Sequence, residues 1–109
     1  MDLQEIQQHV RHGNYEFSLH AQQERLEENL DIKEIEAALT GTAEILEKYL
    51  NDPRGESCLV LGFAGSRPVH VVLGWAKKTR DGSRILRVIT VYIPSLPKWT
   101  DPRTRGTTI

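Results

Sequence analysis

Four histidines and three tyrosines, with scattered arginines, are the groups in this chain best suited to moving protons or holding phosphate. His20 lies two residues after Ser18, a helix N-cap candidate. The positive end of a helix favours neutral imidazole, a serviceable base near neutral pH. Arg25 follows five residues later. At about 100° per residue the two side chains diverge by about 140°, so they can line one cleft only from opposite sides. His70 sits in an apolar run whose period-two alternation puts Val69, Val71, Leu73 and Trp75 on one face and His70 on the other. Thr90 and Tyr92 offer hydroxyls from the last β-rich run, and alternation places them with Leu86, Val88 and Arg84, opposite Arg87. Each of these also has a structural reading: a capping or solvent-facing His20, a half-buried His70, a packing Tyr92.

The end of the chain carries Trp99, Arg103 and Arg105. An aromatic among arginines suits single-stranded RNA, whose bases stack and whose phosphates pair. The same composition fits a solvated tail with Trp99 tucked inward. Lys77, Lys78 and Arg80 cluster beside Asp81-Gly82, as solvated loops often do. Glu5, His9 and His12 share one helical face, but no fourth ligand accompanies them, so no metal site is expected. Cys58, the lone cysteine, falls in an apolar run and reads as inert core. No GxGxxG, Walker loop, HExxH or CxxC is present. No cofactor is expected.

Helices come first among the elements that must position these groups. Asp2 with Glu5 has capping-box spacing, and Leu3, Ile6 and Val10 follow on one face up to Gly13-Asn14. Ser18 opens a second helix to about Glu28, with Leu19, Leu26 and Leu30 as its apolar stripe. Asp31 with Glu34 caps a third, carrying Ile32, Ile35, Ala38 and Leu39, with Gly41 at the C′ position. Strands follow at Ala43–Leu50, Ser57–Ala64, Val69–Ala76 and Arg84–Ile93, with turn chemistry at Gly65-Ser66-Arg67-Pro68 and a hairpin signal at Asp81-Gly82. Residues 94–109 are read as an irregular, proline-bearing tail. Helices followed by an antiparallel meander predict one α+β domain over 1–109: helices over about 2–41 packed on one face of a small sheet over about 43–93.

At 109 residues and 12.4 kDa the chain is long enough for one ordinary core. Hydrophobic residues at 39% and charged residues at 27% exclude a disordered chain. One cysteine excludes an internal disulfide framework. No apolar run reaches membrane-spanning length and the acidic start is no secretory signal, so a cytoplasmic protein without membrane contact is expected. The net charge of −1 conceals a division. Residues 1–56 carry thirteen Asp/Glu and five Lys/Arg; residues 57–109 carry two and nine. Either the basic half meets an anionic partner or the halves attract each other.

The segment Phe17-Ser18-Leu19-His20-Ala21-Gln22-Gln23-Glu24-Arg25 resembles the S-x-H-A-x-x-R opening of domain-of-unknown-function family 4258. Pro68-Val69-His70-Val71-Val72 is similar to that family's P-L-H-V-V strand, and Val88-Ile89-Thr90-Val91-Tyr92 to its V-I-T-V-Y strand. The likeness runs from about residue 15 to 93. The family in turn resembles small bacterial ribonuclease toxins of the RelE and BrnT kind, which share a helices-then-sheet fold and are neutralised by antitoxins. The resemblance implies a toxin–antitoxin role, RNA as substrate and a small zinc-finger antitoxin as partner. It singles out His20, Arg25, His70, Thr90 and Tyr92, with Arg103 or Arg105 in place of a basic residue after the last strand.

The resulting expectation is a metal-independent endoribonuclease. RNA supplies its own nucleophile, the 2′-hydroxyl. His20 or His70 acts as acid or base, Arg25 and a tail arginine steady the phosphate, and Tyr92, Thr90 and Trp99 bind substrate. A non-catalytic protein-interaction module and RNA binding without cleavage are the rival readings.

Overall fold

A computed structural model describes residues 1–106. Three nine-residue helices come early: α1 (Leu3–Arg11), α2 (Leu19–Glu27) and α3 (Ile32–Thr40). Each starts where a side-chain oxygen replaces a missing backbone partner. Asp2 accepts from the Glu5 amide, Ser18 from the Ala21 amide, and Asp31 and Glu34 close a reciprocal capping box. Gly41 stands at the C-cap of α3 with φ −89°, so the left-handed C′ turn expected there does not form.

Between α1 and α2 runs a three-residue strand, β1 (Tyr15–Phe17), too short for sequence patterning to signal. Then follow β2 (Glu44–Tyr49), β3 (Ser57–Ala64), β4 (Arg67–Arg80) and β5 (Ser83–Tyr92). The sheet order is β1-β5-β4-β3-β2, antiparallel except for the parallel β1–β5 pair. The Asp81-Gly82 hairpin forms as expected, with φ of 51° and 79°, the doubly positive geometry that matches strand twist. The α+β architecture is thus present, with a sheet wider than the four strands anticipated.

The helices cover one face. Ile6, Val10, Ile35 and Leu39 pack against Cys58, Val60, Val71, Leu73, Leu86 and Val88. Gly62 makes the α3–β3 approach possible: a Cβ there would lie 2.2 Å from the Ala38 carbonyl oxygen. Only part of the expected α2 stripe joins this core. Leu30 is buried, but Leu19 and Leu26 are 75% and 65% exposed. Ala21, fully buried, turns inward in their place.

A bulge resets β5. Leu73 lies opposite Val88 while Val72 lies opposite Thr90, which leaves Ile89 as the extra residue. Leu86 and Val88 therefore face the helices while Thr90 and Tyr92 face away, contrary to unbroken alternation. Arg84 and Arg87 also exchange sides. Arg84 stacks on Trp75 at 3.8 Å and bonds Glu5 of α1, whereas Arg87 pairs across the register with Gly74 on the far face.

The segment expected to be irregular is a small ribbon. β6 (Trp99–Asp101) and β7 (Thr104–Arg105) pair antiparallel. Residues 107–109 of the expected tail lie outside the described residues. The ribbon folds onto the helix-free face of the sheet and buries Trp99.

Candidate functional site: a groove beside a latched histidine

Strand register divides the helix-free face into three rows. One runs Tyr49–Ser57–Gly74–Arg87–Glu16 across all five strands. The next is Glu47–Leu59–Val72–Thr90, and the third Glu44–Leu61–His70–Tyr92. The ribbon reaches the last two rows. The first stays open.

His70 is fully buried beneath the ribbon. Its Nε2 lies 2.7 Å from the Pro102 carbonyl oxygen, which can only accept, so Nε2 carries the proton. Nδ1 then accepts from the Tyr92 hydroxyl at 3.1 Å, and that oxygen accepts in turn from the Trp99 indole at 3.2 Å. Trp99 and Tyr92 both meet the imidazole edge to face. Arg105 lies over Trp99 and forks onto Glu47, which also accepts from the Tyr49 hydroxyl. Arg103 bonds Glu44. Burial holds the His70 imidazole below its usual range and raises the Tyr92 hydroxyl. Arg105 draws the Glu47 carboxyl down, and burial, reinforced by Glu47, pushes Tyr49 up to about 12. Every group in this chain has a partner, and both imidazole nitrogens are engaged. The arrangement is a latch holding the ribbon to the sheet.

His70, Tyr92, Trp99 and Arg105 do therefore meet, and Arg103 holds the same ribbon. His20 and Arg25 do not join them through any bond among the described residues. The His20 side chain is 66% exposed, with Nε2 3.3 Å from Glu24. Arg25 donates to Gln22 and to the Leu30 carbonyl, bracing the α2–α3 turn. Convergence of His20, Arg25 and His70 in one hollow, on which the expected acid–base chemistry depended, is thus overturned. Other residues of the S-x-H-A-x-x-R segment explain much of its pattern. Ser18 Oγ donates to Ile89, Ala21 packs in the core, and Glu24 accepts from the Val91 amide, closing the edge of β5 beyond the end of β1.

The open row forms a groove of about 730 Å³, within the size range of small-ligand clefts. Its floor is Val72, Gly74 and Ile89; Tyr49 and Trp75 stand in its walls, and Lys77, Lys78 and Arg54 on its rim. Gly74 is what opens it, because a side chain there would press on Ile89, with Cβ 2.9 Å from Cδ1. Glu16 projects into the groove between two cations: Arg87 bonds one carboxylate oxygen and Lys78 Nζ lies 3.7 Å from the other. The sequence reading passed over Glu16, Arg87 and Glu47. Only register brings them beside Lys78 and Arg105, and register depends on a three-residue strand and on bulges that composition does not announce.

Elsewhere, His9 turns back to the Glu5 carbonyl and edges onto Trp75. No group of three metal-ligating side chains occurs among the described residues. Cys58 is buried and its thiol is raised to about 11 by desolvation, in keeping with inert core. No described helix is long and apolar enough to cross a membrane.

Three helices on one side of a mainly antiparallel sheet, with a ribbon and groove on the other, define the class as an α+β domain with a half-open sheet. The chain belongs to the family described as Domain of unknown function (DUF4258), which it matches over residues 17–93. No curated protein and no solved structure matches it.

Proposed function

We propose that the protein is a metal-independent endoribonuclease, the toxin partner of a toxin–antitoxin pair, and that its chemistry takes place in the groove. The observation that carries this reading is Glu16 set between Arg87 and Lys78 on an otherwise apolar floor. A phosphodiester entering the groove competes for both cations and releases the carboxylate. Glu16 then takes the proton of the 2′-hydroxyl, whose oxygen attacks phosphorus. The P–O5′ bond breaks, the Lys78 ammonium gives its proton to the departing oxygen, and a 2′,3′-cyclic phosphate remains. Arg87 stabilises the charge gathering on the phosphoryl oxygens. Tyr49 and Trp75 offer aromatic surface to the flanking bases. The ribbon latch fixes the neighbouring rows and takes no part in proton transfer.

Purified protein incubated with RNA in EDTA is expected to leave cyclic-phosphate ends. Glu16→Gln and Lys78→Ala are each expected to slow cleavage by about 10²-fold or more, while His20→Ala leaves it unchanged. Lys78 is exposed, so its loss separates chemistry from folding. Absence of cleavage, or cleavage indifferent to both substitutions, overturns the reading.

A non-catalytic protein-interaction module is the second reading, and the charge distribution favours it. Arg67, Lys78, Arg84, Arg87, Arg103 and Arg105 of the basic half each pair with a carboxylate of the acidic half. The halves largely neutralise one another, which weakens any long-range field for a polyanion.

A further inference from the structure

We propose that the outer face of α2 is a docking surface for a basic amphipathic helix of a partner protein. Leu19, Gln23 and Leu26 stand at i, i+4 and i+7, and so share one side of the helix. The opposite side is committed to the protein's own fold: Ala21 is fully buried and Glu24 bonds the Val91 amide. The two leucines are among the most exposed large apolar side chains of the molecule, and Ile32 at the start of α3 is partly exposed as well. Scattered single leucines on a surface need no explanation. Two on one helical side, seven residues apart, match the anchor spacing by which helices seat on one another.

Charge identifies the occupant. Glu27, Glu28 and Asp31 flank this side, and none has an ion-pair partner among the described residues. A second copy of the chain, meeting about a two-fold axis, would bring the same acidic flank against itself. A helix with leucine-type residues on one side and lysine or arginine beside them satisfies both features: its apolar stripe covers Leu19 and Leu26, and its cations face the three carboxylates. The surface shares no residue with the groove, and the proposal holds whether or not the groove cleaves RNA.

The test is a titration of isotopically labelled full-length protein, followed by amide NMR shifts. The probes are two synthetic helical peptides with the same leucine stripe, one flanked by lysines and one by glutamates. The lysine peptide is expected to shift amides of residues 19–27, and the glutamate peptide to bind at least about tenfold more weakly. Leu19→Gln with Leu26→Gln is expected to abolish the shifts without moving the thermal midpoint, because both side chains are already in water. Equal binding of the two peptides, shifts centred elsewhere, or binding indifferent to the double substitution overturns the proposal. So does concentration-dependent self-association that the double substitution removes, which would assign the surface to a second copy.

Discussion

His70 is the residue whose sequence context points most directly to chemistry and whose surroundings point to structure. Its ring is fully buried, its two nitrogens hold Tyr92 and the Pro102 carbonyl, and Trp99 lies across it. His70→Ala removes buried volume and strands two polar partners, so it is expected to lower stability by about 2–4 kcal/mol, measured by urea unfolding. The pH dependence follows from the same burial. The folded state holds the imidazole below its unfolded pKa of about 6.5, so below that pH the unfolded chain binds the extra proton more readily. Stability is therefore retained above about pH 6.5 and declines as pH falls toward the folded-state value. His70→Ala is expected to flatten that part of the profile relative to the other histidines; an unchanged slope would show that His70 does not set it. The exposed His20 contrasts with it: His20→Ala is expected to change stability by no more than about 0.5 kcal/mol.

At the scale of elements, caps and glycines set the architecture. Ser18 caps α2 and ties it to β5 through the Ile89 carbonyl. Ser18→Ala removes both bonds and is expected to cost about 1–2 kcal/mol, read from the denaturation midpoint. Gly62→Ala would force a methyl into the backbone of α3 at Ala38. It is expected to cost about 1–3 kcal/mol, whereas Gly65→Ala, at a surface turn with nothing within 4 Å, is expected to cost less, with only the strain of its φ of 64°. The helix starts, the Asp81-Gly82 turn and strands β3 to β5 were legible because caps, turn residues and β-branched runs act locally. Other features depend on contacts distant in sequence. β1 exists because Tyr15–Phe17 finds an edge of β5, the Ile89 bulge changes the sides of Thr90 and Arg87, and the ribbon forms because Trp99 finds His70. The exposed Leu19 and Leu26 mark the opposite failure. Their spacing looked like a core face, but Ala21 and Glu24 hold α2 to the sheet by its other side.

For the molecule as a whole, the division between an acidic first half and a basic second half is a complementarity across one core. Six ion pairs cross it, nearly all at least partly exposed, so each contributes little by itself, about 0–1 kcal/mol. The same pairing leaves the sheet face divided between a ribbon held by Arg103 and Arg105 and a groove held open by Gly74. The central claim is that RNA contacts the groove row and not the histidine latch. It is tested most directly by titrating labelled protein with a 2′-deoxy dinucleotide, which can bind but cannot be cleaved. The account predicts amide shifts along Tyr49, Ser57, Gly74, Arg87 and Glu16, weakening as salt rises. Shifts confined to His70, Trp99 and Arg105, or none at all, would contradict it.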